Sequence, residues 1–149
     1  MAELRPITED NFPDAFHLKL KPEQEQFVSH PIRSIAQAYV YRNQCQPFGI
    51  YAADKMVGYV MVIYDYDIPE YDIWRMMIDA SEQGHGYGNE ALDLILDYIR
   101  TKPFGESDRV ALTCNKNNIA ARTLYERKGF RETGVADEDE IELAMNVRQ

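Results

Sequence analysis

The sequence predicts an α/β chain with a mixed, mostly antiparallel central sheet and helices on both faces. Three observations lead there: consecutive β-rich runs between Phe48 and Asp79, a glycine-rich turn opening an amphipathic helix, and further strands and a second helix alternating after it. At 149 residues, with no internal repeat, low-complexity stretch or Pro- or Gly/Ser-rich linker, residues 1–149 read as a single domain able to bury its own core.

Ala2 to Pro6 starts a strand, and Thr8-Glu9-Asp10-Asn11 offers capping residues ahead of a helix using Phe12, Ala15, Phe16 and Leu18. Ser34 is expected to cap a second helix in which Ile35, Ala36 and Tyr39 recur at helical spacing, with Pro47 marking the exit. Phe48 to Ala52 and Met56 to Tyr66 then form a hairpin around Ala53-Asp54-Lys55, and Tyr71 to Asp79 supplies a third strand. Between Asn89 and Arg100, Ala91, Leu92, Ile95 and Ile99 form an apolar stripe opposite Glu90, Asp93, Asp97 and Arg100. Arg109 to Cys114 is a short strand, and Asn118 to Lys128 a helix stopped by Gly129, with Arg127 and Lys128 suited to its negative end. Phe130 to Val135 and Glu140 to Asn146 complete the sheet around Asp137-Glu138-Asp139.

Composition narrows the function classes. No apolar run approaches the roughly 20 residues that span a bilayer, and Arg5, Glu9, Asp10, Asp14 and Lys19 interrupt any secretory core, so a cytoplasmic location without membrane association is expected. Cys45 and Cys114 stand far apart and outside any CxxC spacing, which suits reduced thiols. His17, His30 and His85 form no metal-binding pair, so no metal is expected. With 25 acids against 16 bases and a net charge of -9, the chain repels nucleic acid and favours cationic partners, such as a basic small molecule.

The chemistry concentrates in Gln83-Gly84-His85-Gly86-Tyr87-Gly88, between a strand end and a helix start. Backbone N–H groups in such a turn converge on phosphate oxygens, and the following helix adds the positive end of its dipole. The turn is neither a Walker loop, lacking GxxxxGK[ST], nor a Rossmann fingerprint, since Asn89-Glu90-Ala91 follow Gly88. About 30 residues later, Asn118 opens a helix in which Ala121 and Leu124 pack inward and Tyr125 follows on nearly the same face, ahead of Gly129-Phe130.

Gln83-x-x-Gly86-x-Gly88 followed by Asn118-x-x-Ala121-x-x-Leu124-Tyr125 and Gly129-Phe130 resembles the GNAT N-acetyltransferase superfamily over roughly residues 47–147. Gln26-Phe27-Val28, Ser34 to Tyr39, Pro47 to Tyr51, Val57 to Met61 and Tyr71 to Asp79 add a narrower resemblance to the bacterial spermine/spermidine acetyltransferases. The chain departs from the superfamily's commonest loop at Gln83, where arginine is frequent, and at His85, where a basic residue is common, so backbone amides are expected to do more of the diphosphate binding.

The resemblance implies the GNAT fold, with its sheet splayed at the cofactor site, and acetyl-CoA as co-substrate. It implies that the pantetheine arm pairs with backbone around Met76, Met77 and Ile78, that Gln83, Gly84, His85, Gly86, Tyr87, Gly88 and Asn89 bind the diphosphate, and that Asn118 holds the arm. The Ile78 N–H would polarise the acetyl carbonyl and Tyr125 would protonate the departing thiolate, in direct attack within a ternary complex.

The implied acceptor is a primary amine of spermine or spermidine. An alkylammonium with a pKa near 10.4 lies about 3.4 units above neutrality, roughly 4 to 5 kcal/mol, so a base or water chain is needed. Glu25, Asp72 and Glu138 are candidate bases and, with Trp74, candidate substrate ligands. The acids of Asp65 to Asp72 and of Asp137 to Glu140 suit spaced contacts to a polycation. Two alternatives stay open: acetylation of an antibiotic, amino acid or protein N-terminus, and an acyl-CoA sensor without catalysis. A homodimer enters by analogy with the superfamily.

Overall fold

Among the described residues, 1–27 and 30–148 of a computed structural model, seven strands form one sheet. They are β1 (Ala2–Pro6), β2 (Cys45–Ala52), β3 (Lys55–Asp65), β4 (Glu70–Ile78), β5 (Arg109–Asn115), β6 (Arg131–Asp137) and β7 (Glu140–Asn146), in the spatial order β1-β2-β3-β4-β5-β7-β6. β1 through β4 pair antiparallel, as do β5, β7 and β6, and the two halves join through one parallel contact between β4 and β5. Four helices, α1 (Phe12–Ala15), α2 (Pro31–Val40), α3 (Tyr87–Arg100) and α4 (Ile119–Lys128), accompany the sheet. No helix of the described residues is long and apolar enough to cross a membrane.

Each face of the sheet has its own core. On one, α3 buries Ala91, Leu92, Ile95, Leu96 and Ile99 against Ile50, Val60, Val62, Ile73 and Leu112. Removing one such Leu or Ile side chain from water is worth about 1.5–3 kcal/mol. On the other, Ala15, Leu18 and Ala38 meet Tyr51, Tyr59, Met61 and Met77. The β2–β3 turn uses Ala53 and Asp54, both left-handed at φ 49° and 64°, the two-residue geometry that matches the right-handed twist of the flanking strands.

The first third differs from expectation at three points. The helix after Asn11 stops at Ala15, and Phe16 and Leu18 follow outside it, because the N–H groups of Phe16, His17 and Leu18 bond to carbonyls three residues back, not four, so the chain tightens out of the α-helix. Ser34 does not cap α2. His30 does, its Nδ1 accepting from the Ile32 N–H at 3.1 Å, because Pro31 is preset for the first helical position; Ser34 is buried a turn further in. Pro47 does not mark the helix exit but lies inside β2, where its carbonyl accepts from Ile7 N–H. Val28 of the narrower resemblance lies outside the described residues.

The feature that positions the site is the junction of β4 and β5. They pair only at Tyr71↔Val110 and Asp72↔Ala111, and from Ile73 onward they part. The closed end is fastened by Tyr71, whose hydroxyl donates to Gly105 O at 2.7 Å and accepts from the Phe104 and Gly105 N–H groups at 3.1 Å each. Arg109 and Glu70 add an ion pair across the same end.

A bulge then re-aims β4. Arg75 stands opposite Met61 while Ile73 stands opposite Val62, so Trp74 is an extra residue. Ile73 and Met76 therefore face the α3 core, Met77 and Trp74 face the α1/α2 core, and Arg75 stands beside Trp74 with its guanidinium carbon 5.3 Å from that ring's centroid.

Candidate active site

Two cavities open at the gap between β4 and β5. The larger, about 380 Å³, runs from Met76, Met77 and Ile78 along the glycine turn to α4, touching Gln83, Gly84, Gly86, Tyr87, Gly88 and Asn89. The smaller, about 210 Å³, is enclosed by Trp74 and Arg75 of β4, Thr113 to Asn115 of β5, Phe27 and Glu140. Both are bounded by Met76, Asn118, Ala121 and Tyr125, so they meet there, inside the parted strands.

The glycine turn is open and leads straight into a helix start. Gly84 and Gly86 adopt φ 88° and 82°, and a Cβ built on either meets no atom within 4 Å. The glycines are required by backbone conformation, and the space above them is open. Gly86 starts α3 without any side-chain cap, and the N–H groups of the first helical turn have no intrahelical carbonyl to reach. His85 is exposed, stacks 5.6 Å from the Tyr87 ring and does not line the cavity.

Gln83 acts mainly through its side chain. Its Nε2 donates to Ile78 O at 3.0 Å and to Gln24 Oε1 at 2.8 Å, while Gln24 Nε2 donates back to Gln83 Oε1 at 3.1 Å. This reciprocal pair joins the segment before α2 to the turn. Asp79 repeats the tie, accepting from Lys19 N–H at 2.7 Å. The Asp79 N–H donates to Val57 of β3, and because successive strand amides alternate sides, the Ile78 N–H turns toward the gap. A Cβ on Gly58 of β3 would stand 2.4 Å from Met77 O, so only glycine lets β4 lie where it does.

On the opposite wall, Asn118 caps α4, its Oδ1 accepting from Ala121 N–H at 3.3 Å, and Gly129 ends the helix at φ 110°. None of α4's residues is fully buried, because its inward face lines the cavities instead of filling the core. Tyr125 packs edge-on against Phe130 with ring centroids 5.8 Å apart. Burial, and then the neighbouring Cys114, push its phenol well above the usual range, so it keeps its proton at neutral pH. Burial pushes the Cys114 thiol up to about 11, and it too is protonated.

The candidate acceptor residues separate. Trp74 lines the smaller cavity. Glu25 lies in another hollow with Leu18, His30 and Pro31. Asp72 is held in the closed end, where burial first and then Glu70, Glu142 and Asp65 push its carboxyl up to about 7 against the pull of Arg109. Glu138 stands in the exposed β6–β7 turn at φ 53°. Sequence reasoning missed Arg75, which a strand bulge brings to the cavity, and of the acidic run Asp137 to Glu140 it could not single out Glu140, which a long-range register places there. Burial pulls the Arg75 guanidinium down, and its Nε has no hydrogen-bond partner among the described residues. No cluster of potential metal ligands is present among the described residues.

Comparison with known proteins agrees with this geometry. A spermine/spermidine N(1)-acetyltransferase of Bacillus subtilis (strain 168) is 26% identical over 143 residues, 90% of each chain. A crystal structure of spermidine N-acetyltransferase from Vibrio cholerae, in complex with CoA and spermine, superposes with a TM-score of 0.80 at 19% identity, covering 99% of this chain and 96% of that one. The acetyl transferase from Salmonella typhimurium that modifies the N-terminal serine of ribosomal protein L7/L12 superposes at 0.77 with 19% identity, covering 97% and 94%. The open sheet is thus the GNAT fold, shared by enzymes with unlike acceptors. The profile of the acetyltransferase (GNAT) family matches residues 1–130, and the chain, with its parted strands and glycine turn, belongs to that family as an N-acetyltransferase.

Proposed function

We propose that the chain transfers the acetyl group of acetyl-CoA to a primary amine of a polyamine, by direct attack in a ternary complex. The observation that carries this reading is the meeting of two cavities at Tyr125 inside the β4/β5 gap, which gives donor and acceptor separate entrances to one point. The B. subtilis relative, the net charge of -9 and the carboxylate of Glu140 in the smaller cavity support a cationic amine.

The larger cavity fits the donor. Its open glycine turn and uncapped helix start suit a diphosphate, and Leu20, Met76, Met77 and Leu124 suit a pantetheine arm. Bound there, acetyl-CoA supplies an activated thioester. The chain's own groups do the rest. The amides of 84–89 hold the diphosphate, and Asn118, having spent one oxygen on the α4 cap, keeps its amide nitrogen for the arm. The Ile78 N–H is preorganised by the fixed backbone for a developing oxyanion, where one such donor is worth roughly 3 to 4 kcal/mol. Tyr125 holds a proton on its phenol oxygen for the leaving sulfur.

The test is thiol release from acetyl-CoA with purified chain over a panel of spermine, spermidine, putrescine, amino acids and an N-terminal peptide. Turnover highest with the polyamines is expected. Turnover confined to a peptide or amino acid would replace the acceptor, and binding without turnover would leave the acyl-CoA sensor.

A further inference from the structure

Two ionisable side chains of opposite sign border the smaller cavity, and they do not pair with each other. Glu140 enters from β7 on the rung opposite Asn115. Its carboxylate takes no hydrogen bond or ion pair among the described residues, yet it acts electrostatically on both Arg75 and the Cys114 thiol, across the cavity they line. Arg75 enters from the β4 bulge beside Trp74, half-buried, and its Nε lacks a partner among the described residues. One terminal nitrogen of Arg75 donates to Trp74 O at 2.7 Å, which fixes the guanidinium at the cavity wall, so its charge acts on whatever occupies the cavity without being cancelled by Glu140.

We propose that this pair reads the charge pattern of the acceptor: Glu140 captures the ammonium of the arriving amine, which gives up its proton to water before it attacks the thioester, and Arg75 keeps a second cation out, so a polyamine enters by one end and leaves its remaining charge outside. This deepens the reading of the site as an amine acetyltransferase and rests on it.

The chemistry follows from sign and position, with Glu140 exposed at the cavity's rim and Arg75 half-buried in its wall. A single carboxylate beside Asn115, Asn118 and Thr113 offers acceptor oxygens around one ammonium. A second ammonium within the same volume would face a half-buried guanidinium, where like charges repel more strongly than in water. Diamines are therefore ranked by the separation of their nitrogens, the shortest placing its far charge closest to Arg75. Trp74 and Phe27 supply apolar surface for the methylenes between.

The experiment measures steady-state kinetics of the whole chain with acetyl-CoA and four acceptors, diaminopropane, putrescine, cadaverine and γ-aminobutyrate. Wild type is expected to rank the diamines by length, longest best. Glu140→Gln is expected to raise KM for every diamine about tenfold while leaving KM for acetyl-CoA unchanged. Arg75→Gln is expected to flatten the length ranking, and Arg75→Lys, which keeps the charge, to preserve it. Unchanged diamine KM in Glu140→Gln, or a ranking that persists in Arg75→Gln, overturns the proposal. So does γ-aminobutyrate as the best acceptor with its advantage lost in Arg75→Gln, since Arg75 would then receive an anion. If no amine turns over, the functional reading falls on its own account, and calorimetric titration of putrescine into wild type and Glu140→Gln still decides whether Glu140 binds an ammonium.

Discussion

The two ends of the β4/β5 junction use the same strands to opposite effect. At the closed end, Tyr71 and Asp72 pair with Val110 and Ala111, the Tyr71 hydroxyl satisfies three backbone groups, and Arg109 reaches Glu70. At the open end, Met76 to Ile78 face Asn118 and Tyr125 across empty volume. Buried backbone groups must be paired, so a sheet can part only where something else will meet them. In this chain the closed end is completed by its own side chains, and the open end is shaped for a bound molecule.

Breaking the open end should give the largest effect. Tyr125→Phe removes only the phenol oxygen, and kcat is expected to fall about 100-fold, in line with loss of a general acid, with KM for acetyl-CoA little changed. Wild-type turnover in that variant would remove the phenol from the reaction. Next comes Gly58→Ala, whose new Cβ would lie 2.4 Å from Met77 O. The resulting shift of β4 is expected to lower kcat/KM for acetyl-CoA roughly tenfold and to cost about 1–3 kcal/mol in urea unfolding. Full activity would mean that the Ile78 amide tolerates displacement.

The closed end should answer in stability rather than rate. Tyr71→Phe leaves two buried N–H donors and a carbonyl without their partner, and is expected to cost about 2 kcal/mol in urea unfolding while the folded fraction keeps its kcat. A matching loss of kcat would show that the two ends are not separable. The smallest effect depends on pH. The Asp72 carboxyl moves from an ordinary 3.8 up to about 7, so between those values the folded state binds a proton that the unfolded state has released. Stability from this group therefore falls as pH rises through that window, and the penalty is complete above it. Asp72→Asn is expected to stabilise by about 1–2 kcal/mol at pH 8 and to change nothing at pH 4. Equal effects at both values would remove the burial argument.

Much of this was legible in the residues. The Ala53-Asp54 turn, the Asn118 and Gly129 caps and the glycine turn are local, and local chemistry places them. The α3 stripe was equally plain, and the helix begins at Tyr87, two residues before the expected Asn89, because Gly86 supplies a left-handed start. What could not be read is what depends on pairing between distant strands. Alternation along β4 assigns side chains to faces only until the bulge, after which Arg75 changes sides, and Glu140 reaches the cavity only through the Asn115↔Glu140 rung. The same non-local rule explains why Glu25, Asp72 and Glu138, reasonable as a set of nearby acids, lie in three different places.

The Gln24–Gln83 pair has a consequence of its own. Most side-chain ties on this acidic surface are ionic, and added salt or a shift in acidity loosens them. The two carboxamides match donor to acceptor as complementary bases do, and neither gains nor loses a proton across the working range. The segment that carries Gln24 is therefore tied to the glycine turn by a neutral clasp, one that brine and mild acid leave fastened.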